Sequence, residues 1–209
     1  MSVQKRVAVL VSGGGTNLQA LIDWQNARAD CPYKIVLVVS NTKSAYALER
    51  AKSACIESVV KSPVGIFGKE GAAAKSREEK MLAVSDAILG LCKERDVDII
   101  VLAGYLSVLS GAIVEEYKGR IINLHPALLP KFGGVGMWGE NVHKAVLAAG
   151  EKESGCTVHL VDSGCDTGKI LIQKKVPVKA GDTVESLYER IAPKEHEAIV
   201  EGLLKLCEE

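Results

Sequence analysis

The chain has no excess charge of either sign: 26 lysine and arginine residues cancel 26 aspartate and glutamate residues over 209 positions. Bulk charge therefore lends nothing to a nucleic-acid or membrane-surface role, which would need a basic balance. There is no C-x-x-C pair and no metal-ligand spacing among Cys31, Cys55, Cys92, Cys156, Cys165 and Cys207. No metal is expected, and the six read as reduced thiols, mostly packing residues, in a cytoplasmic protein. Long apolar runs are missing as well. Arg6 leads straight into Val7-Ala8-Val9-Leu10-Val11, too short for a membrane span and without a signal-peptide layout. Repeats, low-complexity tracts and linkers are also lacking. What remains is an ordinary globular composition, 47% hydrophobic and 25% charged, whose length favours a single domain over residues 1–209.

A third glycine is missing where dinucleotide binders need one. Val7 to Val11 reads as a buried strand, and Ser12-Gly13-Gly14-Gly15-Thr16-Asn17 as a turn into an amphipathic helix over Leu18 to Trp24. Glycines let the backbone approach an anion, and a helix N-terminus offers free N–H groups and a favourable dipole. The last glycine of the dinucleotide fingerprint would fall where Leu18 stands, so a single phosphate suits the loop better than a pyrophosphate. A plain tight βα turn would carry the same signature. The alternation continues with a strand at Lys34 to Ser40, a helix at Ala45 to Ala54 and a short strand at Ile56 to Val60. Ser62 to Lys75 reads as a loop. Ser76 and Glu79 match a capping box opening a helix to about Glu94, with Met81, Val84, Ala87, Ile88 and Leu91 as its core stripe. Asp98 to Ala103 is a further central strand. From its end run Gly104 to Leu109, where Leu106, Val108 and Leu109 are either core residues or walls for a flat ring.

The segment Arg120 to Pro130 is where chemistry is most readily placed: an isoleucine-rich strand that ends in Asn123-Leu124-His125-Pro126. Asn123 and His125 are two apart, so on a strand both leave the same face while Leu124 packs the other way. An amide donor and a group titrating near neutrality would then converge on one substrate atom, unless they are a satisfied polar pair. Lys131 to Glu140, with four glycines in ten residues, is a mobile lid or a connector. Val142 to Ala149 is a helix in which His143 is a cap or surface residue. Ser154 to Val161 and Lys169 to Val178 read as an antiparallel pair of strands. The turn Asp162-Ser163-Gly164-Cys165-Asp166-Thr167-Gly168 between them is either a plain acidic turn or a source of a carboxylate for a neighbouring histidine. Thr183 to Leu206 is helical, with a break at Pro193.

Taken together, these motifs resemble the phosphoribosylglycinamide formyltransferase family of folate-dependent enzymes of purine synthesis. The resemblance is carried by Val11 to Gln19, Asn123 to Pro130, Gly155-Cys156-Thr157-Val158-His159, Asp166-Thr167-Gly168 and Glu195-His196, and it spans nearly the whole chain. It implies a single three-layer Rossmann-like α/β domain with a mostly parallel twisted sheet of about seven strands and an antiparallel C-terminal strand. The N-terminal half would bind the nucleotide phosphate, and the C-terminal half would bind folate and carry the catalytic residues. It implies that Gly15, Thr16 and Asn17 hold the phosphate of phosphoribosylglycinamide, and that Glu195 contacts its ribose. Arg77, Leu106, Ser107, Val108, Leu109, Asn123 and the loop Asp162, Ser163, Gly164, Cys165 and Asp166 would bind 10-formyltetrahydrofolate, the co-substrate. Asn123, His125 and Asp166 match the catalytic trio. Ser107 stands where an arginine is familiar, and Pro193 departs from the pattern before Glu195.

The resemblance implies direct attack of the glycinamide amine on the formyl carbon. Asn123 and protonated His125 would stabilise the oxyanion, and Asp166 would raise the His125 pKa. Partners are expected to be these small molecules, with no nucleic acid and no membrane, in a monomer or homodimer. A formyltetrahydrofolate hydrolase would add an N-terminal domain and a methionyl-tRNA formyltransferase a C-terminal one, for which Arg6 and Glu209 leave no room. A non-catalytic nucleotide-binding module would not need an acid beside a histidine.

Overall fold

The computed structural model describes residues 4–208; the outermost positions of the expected 1–209 domain, residues 1–3 and Glu209, lie outside it. The chain divides into two compact units, one ending at Ile121 and one beginning at Ile122. The first contains β1 (Lys5–Val11), α1 (Thr16–Asn26), β2 (Tyr33–Ser40), α2 (Ala47–Ser53), β3 (Ser58–Val60), α3 (Pro63–Ala74), α4 (Arg77–Glu94), β4 (Ile99–Leu102) and α5 (Ala112–Glu116). In the second are β5 (Ile121–His125), which opens at the boundary, then α6 (Glu140–Ala148), β6 (Glu153–Leu160), β7 (Ile170–Pro177) and α7 (Val184–Glu208). The strands form a seven-stranded sheet in the order β3-β2-β1-β4-β5-β6-β7. Pairs β2–β3, β1–β2 and β1–β4 are parallel, and pairs β5–β6 and β6–β7 are antiparallel. This is the α/β fold expected, with two antiparallel pairs at the C-terminal side.

In the first unit the central strands are continuous apolar runs because both their faces are covered: Val7 to Val11 and Ile99 to Leu102 are buried throughout. The capping box is as read. The Ser76 hydroxyl accepts the Glu79 N–H at 3.1 Å, and the Glu79 carboxylate accepts the Ser76 N–H at 2.8 Å. The buried stripe of α4 is Val84, Ser85, Ile88, Leu89 and Cys92, so Met81, Ala87 and Leu91 flank it instead of forming it.

Three readings are corrected. Ser62 to Lys75 is not a loop: Ser62 caps Gly65 N–H at 3.1 Å, Pro63 opens the first turn of α3, and the alanines favour helix, with a single break at Gly68 (φ 72°). Nor does Pro193 interrupt α7, which runs on for 25 residues. An internal proline costs about 3 kcal/mol. Leu187, Ile191, Ala198, Ile199, Leu203 and Leu206 are all buried along this helix, and at about 1.5–3 kcal/mol for each large apolar side chain their burial outweighs that cost. His143 is not at the surface either. Its residue is 3% exposed, on the face of α6 that also buries Val142 and Val146, with its ring 5.9 Å from that of Tyr188.

The backbone of α7 lies close against β6 at Gly202, where a Cβ would fall 2.5 Å from Val158 Cγ1. Helix propensity alone makes Gly→Ala stabilising by about 1 kcal/mol. We expect Gly202→Ala to reverse that sign and destabilise by about 1–3 kcal/mol through overpacking, as measured by urea unfolding.

Candidate active site

Two local arrangements stand out, one in each unit. In the first unit, Gly15 precedes α1 with φ 72° and ψ 31°, and a Cβ there would lie 2.6 Å from Ala47 Cβ. Only glycine allows both the left-handed turn and the close approach of α2. The first turn of α1 has no side-chain cap and no acidic residue. Ser12 Oγ accepts the Leu106 N–H at 2.8 Å. Thr16 is exposed and Asn17 is buried. The N–H groups at this helix start have no acceptor along the helix and favour an anion. Sequence reading missed Arg50. Its Nε donates to Gly14 O at 2.8 Å and its Nη1 to Gln19 Oε1 at 3.1 Å, which sets a fixed cation at the glycine loop.

Also in this unit, Leu106 and Val108 are exposed at 59% and 50%, whereas Leu109 is buried, so the core-or-wall alternative divides within the segment. Ser107 Oγ accepts from Asn41 Nδ2 at 2.9 Å. Arg77 is the exposed first residue of α4.

In the second unit the β5–β6 register sets Asn123 opposite His159 and His125 opposite Thr157. Directly opposed residues of antiparallel strands share a face, so all four side chains project together. Asp166 enters from the turn after β6 and joins them. Its Oδ2 lies 3.6 Å from His125 Nδ1, and its Oδ1 lies 3.4 Å from both His159 Nε2 and Asn123 Nδ2. The expected trio is thus brought together, with His159 as a fourth member that sequence reading had no means to place. His159 Nδ1 faces Leu160 O at 2.9 Å, a carbonyl that can only accept, so in the neutral ring Nε2 accepts from Asn123 Nδ2 at 3.1 Å.

The loop after β5 closes the cluster through its backbone. His125 Nε2 donates to Phe132 O at 2.7 Å, and Gly134 N–H donates to Asp166 Oδ2 at 3.0 Å. Phe132 and Asp166, the two residues that hold the imidazole, both sit in the left-handed region at φ 56° and 58°, uncommon for non-glycine residues. Gly133 allows the close fit, since a Cβ there would lie 2.5 Å from Leu129 Cδ2 and 3.3 Å from Asp166 Cβ. The remainder of the acidic turn is self-contained: Asp162 Oδ1 accepts from Gly164 N at 3.0 Å and Thr167 Oγ1 at 2.7 Å. Cys165 is exposed, and burial of its thiol, ahead of the Asp166 charge, pushes its pKa up, away from the reactive thiolate. Glu195 is buried within α7. A cavity of about 170 Å³ lined by Leu128, Lys131, Phe132, Val146, Glu151, Glu153 and Ser154 contains none of the trio.

Burial lowers the His125 pKa below its ordinary 6.5, against the upward pull of Asp166 and the Phe132 carbonyl. Asp166 attracts the proton, as expected, but desolvation sets the net direction. For Asp166 burial acts upward, yet the contact with His159, the Gly134 N–H and the two histidine charges hold it below 3.8 on balance. Among the described residues no three His, Cys, Asp or Glu side chains are placed to share a metal ion. Nor is any helix long and apolar enough to cross a membrane.

A formyl transferase family model matches residues 5–203. The chain belongs to the formyl transferase family. It is 38% identical over 193 residues to the phosphoribosylglycinamide formyltransferase of Haemophilus influenzae, covering 92% of this chain and 82% of that protein. Its fold matches the crystal structure of glycinamide ribonucleotide transformylase 1 from Symbiobacterium toebii with a TM-score of 0.85 at 37% identity, covering 98% and 88% of the two chains. The trifunctional purine biosynthetic protein adenosine-3 of Drosophila melanogaster is 44% identical over 209 residues, and there the chain spans 97% of its own length but 14% of the relative's.

His125 and His143 are both held below 6.5, in each case first by burial. The unfolded chain then binds more protons than the folded one as pH falls through about 6.5, so stability drops on acidification. We expect unfolding free energy to decline from pH 7.5 to 5.5, and His143→Phe to flatten that slope by up to about one proton taken up on unfolding. An unchanged slope in denaturant titrations at several pH values would mean that His143 titrates normally in the fold.

Proposed function

We propose that this chain transfers the formyl group of 10-formyltetrahydrofolate to the amine of phosphoribosylglycinamide. The observation that carries this reading is the convergence of Asn123 and His125, on one face of β5, with Asp166 from the turn after β6, an amide and an imidazole beside a carboxylate within 3.4–3.6 Å. In the division of labour we infer within one formyltransferase domain, the first unit supplies the phosphate loop Gly15, Thr16 and Asn17, with Arg50 as a supporting charge. Arg77, Leu106, Ser107, Val108 and Leu109 are folate-contact positions, joined by Asp162 to Asp166. Glu195, buried in the middle of α7, reaches the ribose only if its carboxylate turns outward. Ser107 already bonds Asn41, so its folate contact is through the backbone.

The amine nitrogen attacks the formyl carbon, a carbon–nitrogen bond forms, and negative charge gathers on the formyl oxygen. Donors aimed at that oxygen lower the barrier, each contributing about 10²–10³ in rate. His125 Nε2–H is the strongest one available. In the resting structure it is held by Phe132 O, so the formyl oxygen must take the place of that carbonyl. Both Asn123 Nδ2 hydrogens point to His159 and Asp166, and one of them turns to the oxyanion. In the substrate complex His125 takes a proton from solvent at Nδ1, and Asp166, which faces that nitrogen at 3.6 Å, stabilises the imidazolium that burial disfavours; the ring returns this proton to solvent when product leaves. Collapse breaks the bond between the formyl carbon and N10, and the proton lost by the amine passes to N10, giving tetrahydrofolate and the N-formyl product. The protein acts in the cytoplasm in this reading.

The deciding assay incubates pure protein with 10-formyltetrahydrofolate, with and without phosphoribosylglycinamide. Nucleotide-dependent deformylation is expected; turnover with water alone would indicate a hydrolase, and none in either arm a binding module. Asp166→Asn should fold and bind nucleotide yet lose about 10²–10⁴ in kcat. Near-full activity of that variant would remove Asp166 from the mechanism.

A further inference from the structure

We infer that Gln173, on the outer strand β7, is a positioning residue for formyl transfer that sets the place of His125 through the turn at Ala127 to Leu129. Its kinetic consequence rests on the formyl-transfer reading; its effect on the imidazole does not.

The strand registers put His125, Thr157 and Gln173 in one row across β5, β6 and β7, with Thr157 directly opposite each of the other two. Thr157 is fully buried. Its hydroxyl donates to Ala127 O at 2.6 Å and accepts from Leu129 N–H at 3.1 Å and from Gln173 Nε2 at 3.1 Å, so its one hydrogen and both lone pairs are used. Gln173 Nε2 also donates to Leu129 O at 2.8 Å. A carbonyl can only accept, which fixes the orientation of the amide. Both polar backbone atoms of Leu129 are thereby held by side chains from the neighbouring strands.

What Leu129 holds in turn is the loop on the imidazole. Phe132 O, three residues on, accepts from His125 Nε2 at 2.7 Å, and Gly134 N–H binds Asp166 at 3.0 Å. The Leu129 side chain also packs against Gly133, where a Cβ would sit 2.5 Å from its Cδ2. Interiors are close-packed, so a shift at Leu129 passes to the carbonyl in front of His125. Gln173 itself is an exposed residue on a sheet edge, and among the described residues its side chain bonds only Leu129 and Thr157. A residue in such a place contributes modestly to stability, since a neutral hydrogen bond nets about 0.5–1.5 kcal/mol.

The test is Gln173→Leu, with Gln173→Asn as a second variant that keeps an amide one methylene short. His125 is followed by NMR in protein carrying ring-labelled histidine. The groups that face it are Asp166, His159, His143 and the Phe132 carbonyl. Because that carbonyl favours the protonated ring, loosening it should move the His125 titration midpoint down by about half a unit in both variants. Melting temperature should fall by about 2–10 °C, what the loss of one or two neutral hydrogen bonds implies and too little for a structural collapse. With substrates, kcat should fall about tenfold and KM change less than about twofold, the pattern of a misplaced group and not of lost binding. A His125 midpoint that is unmoved in both Gln173 variants overturns the inference, as does a titration shift that appears only with a large drop in melting temperature. If the wild-type protein transfers no formyl group, the proposed function fails, and the titration still decides the role of Gln173.

Discussion

Asp166 has to keep its charge in a place that water barely reaches. Its side chain is 11% exposed, and burial alone would favour the neutral acid. The charge survives because the Gly134 N–H and the Asn123 amide are turned toward it, and the two imidazoles beside it add positive charge when protonated. Much of the second unit follows from meeting that demand. The β5–β6 register presents Asn123 and His159 side by side, the loop bends back through a left-handed Phe132, and Gly133 lets the two backbones come close. A carboxylate with fewer partners would take up a proton and could no longer support a positive charge on His125.

The same electrostatics explains why the imidazole rests neutral. Desolvation holds His125 below its ordinary value even with a carboxylate beside it. A ring that was already protonated would be bound firmly between Asp166 and the Phe132 carbonyl and would gain little when an oxyanion formed. A neutral ring with its Nε2–H on a neutral carbonyl holds that proton less tightly. In the proposed reaction the ring takes its second proton from solvent only with substrate in place, so its charge meets the developing oxyanion instead of being held in the resting site.

How far the sequence was legible depended on the range of the interaction. The buried strands could be read because parallel strands covered on both faces are unbroken apolar runs, as in Val7 to Val11. Ser76 and Glu79 could be read because a capping box closes over four residues. Asn123 and His125 could be paired because a strand has a period of two. The resemblance, not the spacing, singled out Asp166. Readings failed where tertiary packing overruled a local preference. Pro193 lies within a helix because α7 is packed along much of its length, and His143 is buried because α6 turns it inward. The segment Ser62 to Lys75 looked too rich in glycine for a helix, although its cap at Ser62 was in plain view.

What could not be read at all is the backbone chemistry of the site. The groups that hold His125 and Asp166 are a carbonyl of Phe132 and an N–H of Gly134, and every residue carries such groups. Only their position distinguishes them. That position is fixed by bonds between Leu129 and side chains of β6 and β7, whose partners are 28 and 44 residues away along the chain. A motif search sees the imidazole and the carboxylate but not the strand that sets the distance between them. This is why a substitution on the exposed edge of β7 can matter to chemistry on β5, while most exposed positions, which hold no backbone in place, should not.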